Sequence, residues 1–314
     1  MSAPYVSEAE VEALGITAAE IADAAEPLIC AMDQGQVAMP PKSGLSLPNS
    51  DAFFHVMPAA AVGSFACAKW VSGAPSNAAA GRPHIIALLI LADVADGRVL
   101  ALVEAAALTG LRTAALSLLA ARRLARADAA RLAFVGCGLQ ARTHLAALAG
   151  AFPICEVLAY GPRPAAVDRF ADHARATGQQ VRICTRPEGA LEGADIIVSS
   201  VPAHTDLDPF LNAESLPPGA FATMVDLGRS WCVEGLPAFD RCFTDDMTQS
   251  TALSSANPTF AAIQLEADLA ALVSGRVPGR QSDDERIAFL FPGIALADLA
   301  AGTLVLERLG ISTS

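Results

Sequence analysis

The 314-residue chain is poor in aromatics, at 5%, and poor in charge, at 17%. Positive charge is especially scarce: 21 basic residues face 33 acidic ones, for a formal net charge of −12. An acidic protein repels a phosphate backbone, so nucleic acid is not an expected partner. The seven cysteines (Cys30, Cys67, Cys137, Cys155, Cys184, Cys232 and Cys242) include no C-x-x-C pair. An odd count without that spacing predicts neither a disulfide framework nor a zinc site, and no metal centre is expected. Reduced thiols and a cytoplasmic location are the plain reading. Long apolar runs are missing as well. "IIALLILA" is stopped by Asp93, far short of the ~20 residues that span a bilayer. The acidic start "MSAPYVSEAEVEAL" lacks the charged-then-apolar layout of a signal peptide. No membrane partner is expected.

What is present is a hydrophobic, alanine-rich composition, 53% apolar, which suits a globular chain with ample core. The length allows one large domain or, better, two. Residues 7–34 read as one or two amphipathic helices stopping at Gly35. The strand-like runs "AFFHVMPA", "SFACAKWVSG", "HIIALLILAD" and "GRVLALVEA" follow, so the first ~110 residues predict a helix and a mainly antiparallel sheet. "LTGLRTAALSLLAARRLARAD" is strongly helical. From residue 131 strands and helices alternate, and "FATMVDLG" and "DRCFTDD" fit further strands. Such alternation predicts a parallel sheet with helices on both faces. The tail "GIALADLAAGTLVLERLG" predicts a closing helix.

"LAFVGCGLQARTHLAAL" holds the G-x-G-x-x-A turn of Gly136, Gly138 and Ala141. The first glycine permits the tight turn, the second lets backbone approach a pyrophosphate, and the alanine lets helix pack on strand. The N–H groups of the following turn, with Leu139 and Gln140, face the phosphates. The alternative is a turn needed only for packing. A site for NAD commonly has an acid closing the second strand, about 20 residues on. Here the strand ends "VLAYGPRP": Gly161 stands at the acid's place, and Arg163 lies just beyond. This favours NADP(H), with NAD(H) left open. Arg163 could equally be a solvated residue opening a helix.

Lys69 interrupts an apolar strand, as an edge residue or as a cation aimed at a ligand. Arg112 is read as opening the long helix, where the dipole disfavours it; binding a carboxylate bidentately would explain it, and so would a solvated face. Either histidine of the pair His55 and His84 could line a site or be structural. His144 and His173 read as bland. His204 follows a strand end where cofactor-facing loops occur. Glu104 reads as a pocket wall or a strand-end carboxylate, and Cys137 as a small filler.

Nearly end to end, the chain resembles the ornithine cyclodeaminase/mu-crystallin family. The resemblance rests on "FFHVMPA", "AKWVSGAPSN", "ILADVADGRVLALVEAAALTGLRTAA", "FVGCGLQARTHLAAL", "GADIIVSSVPA", "MVDLGR" and "SGRVPGRQSDDERIAFLFPGIALADLAA". It implies an α/β chain in which a Rossmann-type parallel-sheet domain, 113–292, binds NAD(P). An N-terminal α+β substrate and dimerisation domain, 1–112, is completed by the C-terminal helix in 293–314. It implies a homodimer with its active site between the domains. Lys69 would be catalytic, Arg112 would bind the substrate α-carboxylate, and Asp226 would stabilise an iminium. Lys42 stands where the family has a second carboxylate-binding arginine, and keeps the charge without the fork. His84 stands where cyclodeaminases have threonine, and "DLGRSWCVEGL" departs from the usual stretch and carries Trp231. The implied activity is NAD(P)H-dependent reduction of a small imino acid such as 1-pyrroline-2-carboxylate. Conversion of L-ornithine to proline and ammonia, or non-catalytic binding of NADPH and a small ligand, are the alternatives.

Overall fold

The computed structural model describes residues 3–311 apart from 33, 49, 51, 75, 76, 78–80, 82, 84 and 203–207. Its contacts divide the chain into two compact units, Met1–Ala115 with Gly293–Ser314, and Leu116–Pro292. The sequence puts the first boundary at residue 112.

The first unit opens with β1 (Tyr5–Val6), α1 (Glu8–Ala13) and α2 (Ala18–Met32). The helical run is two helices because Gly15 between them takes φ 65°, a left-handed conformation that ends a helix. There follow β2 (Val37–Ala38), β3 (Ser43–Ser46), β4 (Phe53–Ala61), β5 (Phe65–Gly73), β6 (Ile85–Asp93) and β7 (Val99–Glu104). The sheet order is β1-β7-β6-β5-β4-β2, with β3 also on β4. β4 to β7 are antiparallel neighbours, while β1 joins β7 in parallel. Alternation sets the faces. Cys67, Lys69 and Val71 of β5 and Ala87, Leu89 and Leu91 of β6 are buried, whereas Trp70, Ile86 and Ile90 are exposed.

Helix α3 (Ala106–Leu124) starts in this unit. The Glu8 carboxylate accepts from the N–H groups of Ala106 and Ala107 at its N-terminus, where a negative charge is favoured. Glu104 accepts from the Tyr5 hydroxyl at 2.7 Å and the Glu8 N–H at 2.6 Å. It is therefore a strand-end carboxylate that ties β1 and α1 to β7.

The second unit contains β8 (Arg131–Val135), α4 (Leu139–Ala149), β9 (Glu156–Tyr160), α5 (Pro164–Ala176), β10 (Gln180–Ile183) and α6 (Pro187–Leu191). β11 (Ile196–Ser199), β12 (Phe221–Met224), β13 (Arg241–Thr244), α7 (Met247–Leu253) and α8 (Pro258–Ala262) continue it. β14 (Ala267–Asp268), α9 (Leu269–Val273) and β15 (Ile287–Leu290) end it. The order is β10-β9-β8-β11-β12-β15-β13-β14, and the pairings are parallel. This is the doubly wound sheet expected from the alternation. The order reverses between β8 and β11, and ligands of such sheets bind outside the carboxyl ends of the strands at that reversal.

The chain then returns to the first unit with α10 (Leu296–Arg308). This helix packs on α2 and on β4, β5 and β6. A Cβ at Gly302 would press on the Leu91 side chain, which would have to shift.

Candidate active site

In the second unit β8 ends at Val135 and α4 begins at Leu139, so the turn is Gly136-Cys137-Gly138 alone. Gly136 takes φ 94°, and a Cβ there would lie 2.7 Å from the Ser200 carbonyl oxygen. Conformation and space both require glycine. The Gly136 N–H donates to Tyr160 O at 2.8 Å, and Ser200 Oγ donates to Gly136 O at 3.0 Å. The ends of β9 and β11 thus hold the turn. Gly138 is the N-cap of α4, with no side-chain cap and no acid in the first turn. Nothing lies within 4 Å of where its Cβ would be.

An uncapped helix terminus beside open space suits a pyrophosphate, and the dinucleotide fits this cradle. Ala141 is fully buried and lets α4 approach the sheet, while Leu139 is exposed. The surrounding pocket is lined by Gly136, Gly138, Gly161, Arg163, Ser200 and Pro202, among others. Cys137 donates its thiol to Tyr160 O at 3.5 Å, and burial pushes that thiol up to about 12, as befits a filler.

The Gln140 carbonyl accepts from His144 Nδ1 at 2.7 Å, and His144 Nε2 lies 2.9 Å from Ser117 Oγ. A carbonyl only accepts, so Nδ1 carries the proton and Nε2 accepts from Ser117. Ser117 Oγ is 2.9 Å from Thr223 Oγ1 and accepts from it in turn. Burial pushes His144 down to about 4, which keeps it neutral. This satisfied histidine joins α3, α4 and β12 behind the cofactor turn.

Asp226 stands after β12, almost fully buried. Its Oδ1 accepts from Ser199 Oγ at 3.0 Å and the Gly228 N–H at 3.2 Å. Its Oδ2 accepts from Ser230 Oγ at 2.5 Å and the Val201 N–H at 3.4 Å. Burial raises its pKa from the ordinary carboxylate value, and the Ser230 and Ser199 bonds oppose that rise. Trp231 is buried and donates from Nε1 to Ser199 Oγ at 3.0 Å. Beside Asp226, Leu227 has φ 60°, and it is the one non-glycine residue with positive φ among the described residues. Four donors of its own unit thus hold the Asp226 carboxylate in place beside the left-handed Leu227.

In the first unit three elements converge on one charge cluster. Lys69 of β5 is fully buried, and its Nζ donates to Asp298 Oδ1 of α10 at 2.7 Å. Arg112 Nε of α3 lies 3.4 Å from the same oxygen. Arg112 does not open its helix, as read from the sequence; Glu8 caps the start at Ala106, and Arg112 sits in the second turn. Gly293 adjoins it with φ 95°, and a Cβ there would lie 2.8 Å from Arg112 Nη1. Burial first and the charge of Arg112 second lower Lys69 to about 8, against the opposing pull of Asp298. His55 on β4 is pushed down to about 4 by burial and by the charges of Lys42 and Lys69, which brings Lys42 electrostatically to the same neighbourhood. His84 and His204 lie outside the described residues.

Sequence reasoning missed Asp298. The available signal was an acid inside the apolar run "IALADLAAGTLVL", where burial without a partner would be prohibitive.

A doubly wound sheet with an open helix terminus in one unit, and two buried cations in the other, define a nicotinamide-dependent enzyme for a small anionic substrate. The model of the ornithine cyclodeaminase/mu-crystallin family matches residues 4–312, and the chain belongs to that family. It is 29% identical to an alanine dehydrogenase of Archaeoglobus fulgidus, over 98% of this chain and 95% of the relative. It is 28% identical to a Δ1-pyrroline-2-carboxylate reductase of Bacillus cereus, over 86% of this chain and 85% of the relative. Among solved structures it resembles an archaeal alanine dehydrogenase dimer with bound NAD, at TM-score 0.87 and 30% identity, covering 98% of this chain and 96% of the other.

Proposed function

We propose that this protein reduces a small imino acid of the 1-pyrroline-2-carboxylate type with NADPH. The observation that carries the reading is the Lys69–Arg112–Asp298 cluster, two cations against one carboxylate in a buried setting. The excess positive charge is costly there unless an anion offsets it. Arg112 receives the substrate carboxylate with its planar fork, and Lys42 adds charge without that geometry. Lys69, with its constant near 8, holds a proton at neutral pH and passes it to the substrate nitrogen. When bound, the reduced nicotinamide supplies the hydride to the carbon of the C=N bond. Relatives named as an alanine dehydrogenase and a Δ1-pyrroline-2-carboxylate reductase support the class.

Gly161 and Arg163 support NADPH over NADH, since no carboxylate closes β9 to repel a 2′-phosphate. Arg163→Ala is expected to weaken NADPH binding about tenfold, the loss of one charge-assisted contact, and to leave NADH binding unchanged; fluorescence titration of both cofactors checks this. The exposed apolar face of the first unit's sheet, with Trp70, Ile86 and Ile90, supports a homodimer. Trp70→Glu is then expected to give a monomer in light scattering.

The activity test follows NADPH consumption across cyclic and open imino acids. Turnover whose KM rises in Arg112→Ala supports the reading. Ammonia release from L-ornithine with NAD+ and no net reduction would replace it with cyclodeamination. NADPH binding without turnover on any substrate would leave a non-catalytic binder.

A further inference from the structure

The charge cluster contains a residue that no sequence motif had assigned. Asp298 projects from α10, the last helix of the chain, and is 2% exposed. One of its oxygens faces both Lys69 Nζ, at 2.7 Å, and Arg112 Nε, at 3.4 Å. Arg112 Nε and Asp298 Oδ2 are both buried without a hydrogen-bond partner. They are an orphaned donor and an orphaned acceptor within one cluster, and such atoms in a well-packed core call for a reason. A carboxylate that serves only to neutralise a lysine would use both oxygens on it or on neighbouring N–H groups, as Asp226 does with its four donors.

We propose that Asp298 is a positioning residue: it fixes Lys69 and Arg112 as one charged pair and sets the cluster's net charge at +1, which fits the site to substrates carrying a single carboxylate. The proposal rests on the reading of Arg112 as the carboxylate receiver and adds the substrate's charge class to it. Without Asp298 the site would hold two adjacent uncompensated cations, Lys69 would release its proton more readily, and a second substrate carboxylate would be better accommodated.

The titratable neighbours leave Lys69 as the group to watch. On β5, burial and Asp298 push the Cys67 thiol up to about 12. On β4, His55 is held near 4. On α3, Arg112 places its guanidinium Nε 3.4 Å from Asp298 Oδ1. Between roughly pH 6 and 9 the cluster's own titration is therefore that of Lys69.

The composition gives a direct readout. Lys42 and Lys69 are the only lysines in the chain, so protein labelled with 13C at lysine Cε yields two resonances, told apart by Lys42→Arg. In full-length wild type the Lys69 signal is expected to titrate near 8, and in Asp298→Asn at least one pH unit lower. Asp298→Glu, which keeps the charge, is expected to stay near wild type. The basic limb of the pH profile of kcat/KM should move down with the NMR titration in Asp298→Asn. The ratio of kcat/KM for a dicarboxylic over a monocarboxylic imino acid should rise at least tenfold.

An Asp298→Asn protein with wild-type Lys69 titration and an unchanged substrate ratio would overturn the proposal. So would equal behaviour of the Asn and Glu variants. Should Asp298→Asn fail to fold, recovery of folding in Lys69→Met/Asp298→Asn supports the pairing, and failure of the double variant as well counts against it. The NMR titration needs no turnover. A wild type inert toward every imino acid sinks the proposed activity, while the titration still judges Asp298.

Discussion

Lysine and arginine are seldom buried, because each leaves water at high cost. Lys69 and Arg112 accept that cost side by side, and Asp298 offsets only part of it. Arg112→Ala is expected to lower kcat/KM for an imino acid by about 10- to 100-fold, the value of a charge-assisted contact, mainly through KM; steady-state kinetics reads this directly. Gly293→Ala should mimic it without replacing a charged residue, since the added methyl meets both a positive φ and Arg112 Nη1. A KM increase with cofactor affinity unchanged is the expected signature. Lys69 and Arg112 were legible in the sequence as misfits, one in an apolar strand and one in a helix. Their counterion was not, because α10 lies about 230 residues beyond Lys69 in sequence and no local pattern links them.

Elements with a strong period were the easiest to read. The strands and helices from β8 to β11 follow the expected order closely, because each apolar strand is bounded by turns and followed by an amphipathic helix. β15 escaped the reading although it lies between β12 and β13 in the sheet. Its four residues, "IAFL", are too short and too uniformly apolar to carry a period, and a long polar loop precedes them. β1 escaped for the same reason of length, with only two residues. The start of α3 was misplaced because its cap is Glu8, far back in sequence. The proton chain from Thr223 through Ser117 and His144 to the Gln140 carbonyl was hidden in a histidine that looked ordinary. His144→Ala is expected to cost about 2 kcal/mol of stability, from unpaired buried partners and a small void. If the Gly136–Gly138 turn holds the nicotinamide cofactor as proposed, it should also weaken cofactor binding, since α4 starts at that turn. Thermal melts with and without cofactor test both effects.

For the molecule as a whole, the half-buried His55 and the buried His144 and Lys69 give stability a defined pH dependence. His55 and His144 sit near 4 in the fold against about 6.5 unfolded. The unfolded chain therefore binds more protons between those values, and stability falls as pH drops from about 6.5 to 4. Lys69 sits near 8 against about 10.4 unfolded, so its contribution raises stability as pH climbs from about 8 to 10.4. Denaturant midpoints should rise from pH 4 to about 6.5, whereas above about 8.5 the Cys67, Cys137 and Cys242 thiols, pushed up to about 12 by burial, outweigh the Lys69 contribution and stability falls. Lys69→Met is expected to steepen that upper fall and leave the lower window unchanged.

A ribosome releases the chain from its N-terminus, and domains generally fold as units during synthesis. Residues 116–292 emerge between Lys69 and the helix that carries its counterion. The parallel-sheet unit is continuous in sequence and has all its strands before the last helix appears. The first sheet, by contrast, must wait with a bare ammonium on the face that α10 will cover. Its maturation therefore follows synthesis of the parallel-sheet unit. A released chain truncated after Pro292 should resist protease over 116–292 and be cut readily within 53–104.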